Sequence, residues 1–146
     1  MAPHSDRKRF EAWERLHAIT GTSRLIPAST VVVMNEGFDG LEVLMLRKTS
    51  NVAFGGMWVF PGGRVDEVDA VLDIDGGLDK LATAARAAVR EANEEASIVL
   101  EPVNLVWFSH WIPPPITPKR FSTFFFAARL TNDNVVAIDK REITDN

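Results

Sequence analysis

The chain has 146 residues, 46% of them hydrophobic and 25% charged, a formal net charge of −4 and no cysteine. That is the size and composition of one soluble domain with a sizeable core. The negative balance argues against general binding to a nucleic-acid backbone, and the missing cysteines exclude disulfides, thiolate metal sites and a Cys nucleophile.

The first residues contain no apolar leader region, and no run approaches the ~18 apolar residues of a membrane span. A cytoplasmic location is the resulting expectation. Phe10, Trp13, Leu16 and Ile19 recur at helical spacing, so residues 6–19 are expected as an amphipathic helix ending at Gly21 and docked on the domain or on a partner subunit. Residues 1–24 then form a helix and linker, and 25–146 the main domain. Ala28 to Asn35 is rich in β-branched residues and reads as a buried strand. EGFDG (Glu36–Gly40) carries turn chemistry, and Leu41 to Lys48 alternates like a hairpin partner. GGMWVFPGG (Gly55–Gly63) reads as a short apolar strand stopped by Pro61. Residues 66–79 read as an acidic loop.

Lys80 to Arg90 consists largely of good helix formers, and the helix should run on through REANEEA to Ser97. It places Glu91, Glu94 and Glu95 on nearly one face near its C-terminal end. Like charges at that spacing cost roughly 0.2–0.5 kcal/mol per pair, and the helix dipole disfavours anions there by roughly another 0.3–1 kcal/mol. Arg90 offsets Glu94 at i to i+4. The remaining carboxylates call for a cation, and their hard oxygens suit Mg²⁺ or Mn²⁺. Residues 105–111 and 120–130 read as further strands, joined by the proline-rich IPPPITPK. The sum is an α+β domain on a mixed sheet. Val135 to Asn146 begins another strand with no later helix, which points to a shortened chain or one that completes its core by association, as a homodimer would.

FPGG (Phe60–Gly63) followed by REANEEASI (Arg90–Ile98) resembles the box of the Nudix hydrolases, G-x5-E-x7-R-E-U-x-E-E-x-G-U, with U a bulky apolar residue. The likeness extends over roughly residues 28–130. The family fold it implies is an α/β/α sandwich with the box helix packed on one face of a mixed sheet. Three departures stand out. The loop between Gly63 and Arg90 is thirteen residues longer than the pattern, Ala92 stands at the U position after Glu91, and Ser97 replaces the closing glycine. The first acid of the pattern falls on Asp69, with Glu67 close by.

The resemblance implies hydrolysis of a nucleoside diphosphate linked to another group X, with Mg²⁺ or Mn²⁺ held by Glu91, Glu94, Glu95 and the backbone of Gly63, and with Arg90 orienting the glutamates. It places the general base on a later loop, where Glu142 is the candidate. Arg47, Arg64, Lys119 and Arg120 are candidate phosphate contacts; Trp58, Trp107, Trp111 and Phe121 are candidate stacking surfaces for a base, set against plain core packing. His110, without a second histidine at ligand spacing, reads as a hydrogen-bonded strand residue. The segment HWIPPPITPKRFSTFFFAA (His110–Ala128) is similar in part to the coenzyme A diphosphatase-like branch, and Arg47 and Gly56 fit a second pattern of that branch while Lys48 and Val52 depart from it. The alternative is a catalytically silent nucleotide-binding module of the same fold.

Overall fold

The computed structural model describes residues 4–49, 55–130, 137 and 143–145. Helix α1 (His4–Thr20) is followed by strands β1 (Leu25–Gly37), β2 (Gly40–Val43), β3 (Leu46–Lys48), β4 (Trp58–Val59) and β5 (Gly62–Arg64). Helix α2 (Lys80–Ala96) and strands β6 (Val106–Trp111), β7 (Arg120–Arg129) and β8 (Ile143–Asp145) complete the order. The strands form two sheets. The larger has the order β2-β1-β7-β6, with β5 also paired to β1, and the smaller is β4-β3-β8. β1 and β7 are parallel over ten residue pairs, Leu25 with Arg120 through Met34 with Arg129, while the other pairs are antiparallel. The α+β class expected from sequence is the class observed.

α2 packs on β1 and β5 of the larger sheet and shares one core with residues of both sheets, and its sequence shows why. Ala84, Ala88, Ala92 and Ala96 repeat every four residues and, with Ala85, form a methyl-lined face that is wholly buried. Small side chains let two sheets approach one helix. Val31, Val33, Phe126 and Ala128 reach it from the larger sheet, and Leu46 and Ile143 from the smaller. Asp79 caps the helix by accepting from the Ala82 N–H at 2.9 Å. Ser97 ends it in the left-handed region, φ 56° and ψ 25°, where its N–H reaches the carbonyls of Ala92 and Asn93.

One strand expectation is corrected. Leu41 to Lys48 is not one strand. β2 pairs with β1 around a two-residue turn, Phe38-Asp39, and after the Leu44 N–H bonds the Val33 carbonyl at 2.9 Å the chain crosses to the other sheet as β3. The crossing leaves Leu46 buried in the same core cluster as the α2 alanines. The GGMWVFPGG strand does end before Pro61: β4 stops at Val59, and β5, just past the proline, belongs to the larger sheet and pairs with Ala28–Thr30 of β1.

The acidic segment 66–79 is a loop, as expected, but a fastened one. The Val71 N–H bonds Thr83 Oγ1 at 3.0 Å, and Arg86 Nη1 bonds the Ala70 carbonyl at 3.1 Å. The extra residues therefore lie along the start of α2. Helix α1 forms where expected, yet it shares no packed interface with another element among the described residues. Its Phe10, Leu16 and Ile19 are exposed, Ile19 at 84%. Docking within the chain is not what the structure shows.

Candidate functional site

Where β5 meets the last turns of α2, a cavity of about 610 Å³ opens over β1 and β7, within the range of small-ligand sites. Its acidic wall is Asp66, Glu91 and Glu94 with Arg90; Gly62, Gly63 and Arg64 form the β5 edge; Lys119, Phe121, Thr123 and Phe125 bring the β7 side.

The glycine pair sets the closeness of this wall. A Cβ on Gly63 would stand 2.4 Å from Glu91 Oε1, and one on Gly62 would stand 2.4 Å from the Ser29 carbonyl oxygen. Only a bare backbone fits between β1 and α2. The Gly62 N–H also donates to Glu95 Oε2 at 3.0 Å.

Arg90 is the hub. Its Nε and Nη2 donate to the two oxygens of Asp69 at 3.0 and 2.9 Å, and Nη2 also donates to the Arg64 carbonyl at 2.9 Å. Nη1 donates to Glu91 Oε1 at 2.9 Å and to Glu94 Oε2 at 3.0 Å. One guanidinium thus offsets three carboxylates, Asp69, Glu91 and Glu94, where helix spacing alone gave it Glu94. Burial by itself would raise the Asp69 carboxyl, but hydrogen bonds from Arg90 and the Asp66 N–H, with the Arg90 charge, hold it below the usual carboxylate range. Arg90 is pushed further up, chiefly by its bond to Asp69. Glu91 goes the other way. Desolvation raises it to about 7 against the pull of Arg90, and the charges of Glu95 and Glu94 add to the rise.

Glu95 is placed differently from its two neighbours. It is 3% exposed, and its Oε1 accepts from Lys48 Nζ, itself 9% exposed. Repulsion along the helix is worth a few tenths of a kcal/mol per pair, whereas a buried charge without a partner costs several. Burial therefore outweighs repulsion in setting the arrangement, and Lys48 supplies the partner that burial demands. Sequence reading passed over Lys48 as a departure from a pattern; the available clue was its inward phase on β3, shared with buried Leu46, since a buried lysine requires a partner. Ser29 was also missed. Its Oγ lies at the cavity lining, wholly buried and without a hydrogen-bond partner.

The remaining candidates separate clearly. Arg64 and Lys119 border the cavity. Arg120 does not; it donates to the carbonyls of Pro113 and Ser23 at 3.1 and 3.2 Å and fastens the proline-rich loop. Arg47 sits on β3 in register with Trp58 and Asp145, outside the cavity lining. Of the four aromatics Phe121 alone lines the cavity, while Trp107 and Trp111 lie on the edge strand β6. His110 behaves as a strand residue, 2.8 Å from Ser122 Oγ and stacked on Phe124. Glu67 belongs to the short 3-10 turn whose last residue, Asp69, holds Arg90. Glu142 lies outside the described residues.

Glu91 and Glu94 offer hard oxygens to the cavity beside Gly63 and the unpaired Ser29 hydroxyl. That donor set fits Mg²⁺ or Mn²⁺. Glu95 fits it only by giving up Lys48, and no group of three acidic or histidine side chains converges as a metal cluster among the described residues.

A family model for the NUDIX domain matches residues 24–146, and the chain belongs to that family. It is a Nudix pyrophosphohydrolase, an enzyme of the class acting on acid anhydrides in phosphorus-containing compounds. Hydrolases of this family generally use divalent metals.

Among solved structures, the chain is similar to a NUDIX hydrolase from Alicyclobacillus acidocaldarius at 21% identity and TM-score 0.67, covering 83% of this chain and 77% of that one. An Ap4A hydrolase from C. elegans, solved as a binary complex, matches at 22% identity and TM-score 0.59, with 82% and 76% covered. The NUDIX domain of Shewanella oneidensis NrtR, complexed with ADP ribose, matches at 16% identity and TM-score 0.62, with 90% and 79% covered. At these identities the likeness is one of fold. No curated protein sequence matches the chain. No helix among the described residues is long and apolar enough to cross a membrane.

Proposed function

We propose that the protein hydrolyses the diphosphate linkage of a nucleoside diphosphate joined to another group, with Mg²⁺ or Mn²⁺ held by Glu91 and Glu94. The observation that carries this reading is the convergence of both carboxylates, Gly63 and the cation Arg64 on one cavity. The bound metal ion would neutralise diphosphate oxygens and make an attacking water more acidic. The chain's own residues supply position. Arg90, locked to Asp69, fixes where Glu91 and Glu94 point. Arg64, at the cavity edge, can pair with a phosphate oxygen. Glu142 is proposed to take the proton from the water; it precedes Ile143, the first residue of β8, which is registered against Lys48.

The test is a chromatographic screen for release of the two phosphate-ester products from coenzyme A, NADH, ADP-ribose and dinucleoside polyphosphates, with and without Mg²⁺. Metal-dependent release that disappears in Glu94→Gln is the expected result, and release from coenzyme A alone assigns the branch. A nucleotide-binding module without turnover is the second reading. One observation favours it: Glu95 is already committed to Lys48 and Gly62. Silence across the panel, with nucleotide binding retained, selects it.

A further inference from the structure

Glu95 has the oxygens of a metal ligand and the surroundings of a core residue. It is buried and does not border the cavity, whereas Glu91, Glu94 and Lys48 do. The Lys48 side chain therefore stands between Glu95 and the cavity. The two carboxylate oxygens of Glu95 are held differently. Oε2 accepts from the Gly62 N–H at 3.0 Å, a bond made by backbone, and Oε1 accepts from Lys48 Nζ. A group that can move holds Oε1.

The backbone at Lys48 is fixed. Its N–H donates to the Met57 carbonyl at 3.0 Å, and its carbonyl accepts from the Gly56 N–H at 2.9 Å. The freedom of this residue lies in its four-carbon stem, which carries a compact point charge. Arg90 is held in another way. Its guanidinium bonds Asp69, Glu91, Glu94 and the Arg64 carbonyl at once, so it cannot leave one without losing others. Of the two cations at the glutamates, Lys48 is the one able to withdraw. Withdrawal takes its ammonium toward the cavity it already lines, where water can solvate it, and uncovers Glu95 Oε1.

We propose that Lys48 is a positioning residue that sets the affinity for the divalent ion: its ammonium takes the place of a metal at Glu95, and Mg²⁺ or Mn²⁺ gains that third carboxylate only as Lys48 withdraws. The apparent affinity then falls with the fraction of molecules in which Glu95 is released, so a pair formed in about nine molecules of ten weakens it about tenfold. This rests on the hydrolase reading for the presence of a metal, but its test reads metal uptake and not turnover.

The test is calorimetric titration of the full chain with Mn²⁺ alone. Lys48→Met removes the competing charge and should tighten Mn²⁺ binding by about tenfold, although it makes the fold less stable. A purely structural role for Lys48 would give the opposite sign. Lys48→Arg, which keeps a cation, should bind Mn²⁺ no more tightly than the wild type. Unchanged or weaker uptake by Lys48→Met overturns the inference and leaves the hydrolase reading in place. No uptake by either protein removes both. Should Lys48→Met fail to fold, the wild type decides the matter through reductive methylation of its lysines, mapped by mass spectrometry. Saturating Mg²⁺ should speed modification of Lys48 several-fold while leaving the exposed Lys119 unchanged. A rate at Lys48 that stays the same or falls overturns the inference.

Discussion

Arg90 and Asp69 meet through two parallel hydrogen bonds, Nε to Oδ1 at 3.0 Å and Nη2 to Oδ2 at 2.9 Å, joining the loop before α2 to the helix face that carries Glu91 and Glu94. Asp69 is 2% exposed, so the pair is buried on the carboxylate side. Asp69→Asn leaves Arg90 paired with Glu91 and Glu94, so it should lose roughly 1–3 kcal/mol, the scale of charged hydrogen bonds, in urea denaturation at pH 7. The pH dependence follows from the lowered folded-state value of Asp69. Its contribution is complete above the unfolded value of 3.8 and disappears as pH falls through the lower folded value. The gap between wild type and Asp69→Asn should accordingly narrow only in strong acid. A gap unchanged at the lowest pH at which the fold persists would count against the ion pair.

Lys48 and Glu95 form the second buried pair, and here the coupling itself is measurable. Lys48→Met removes the buried cation that faces the Glu95 carboxylate and should cost roughly 3–5 kcal/mol. Adding Glu95→Gln, which keeps an acceptor for the Gly62 N–H, should restore most of that loss. Strict additivity in the double-mutant cycle would mean that the two side chains do not interact.

The two glycines of FPGG predict opposite phenotypes. Gly62→Ala drives a methyl into the Ser29 carbonyl, a backbone atom that cannot step aside, and should destabilise by roughly 1–3 kcal/mol. Gly63→Ala first meets the end of the Glu91 side chain, which can swing aside. Stability should change little while diphosphate hydrolysis falls sharply, because the displaced carboxylate is the one facing the cavity. Parallel denaturation and turnover assays on both variants check the contrast, and equal stability losses would refute it.

Much of this was legible in the chain, for reasons that differ by element. The period of four in the α2 alanines, the β-branched run of β1 and the turn residues around Asp39 are local patterns, and each element formed where its pattern lies. The departure at Ser97 was legible too: a helix that lacks its closing glycine still ends in a left-handed residue. What escaped was set by partners distant in sequence. Nothing near Lys48 announces Glu95, and nothing near Arg120 announces the Pro113 and Ser23 carbonyls that remove it from the cavity. The break of β3 from β2 escaped for the same reason, since β3 pairs with β4 and with β8, which is distant in sequence.

Ser97 offers a stabilising change. A left-handed conformation costs a residue with a Cβ about 1 kcal/mol relative to glycine. Ser97→Gly should therefore raise stability by up to roughly 1 kcal/mol, visible as a higher denaturant midpoint at unchanged slope. A lower midpoint would show that the serine hydroxyl contributes more than the backbone strain removes.

The methyl-lined face of α2 leaves the helix no slack. Packed on β1 and β5, it cannot shift outward for a larger side chain at Ala88 or Ala92 without carrying all three glutamates with it, so interior fit and the aim of the carboxylates are a single mechanical quantity. Divergence toward new compounds is barred from the helix side and left to the opposite bank, where β7 and its proline-rich approach can vary without disturbing the gears.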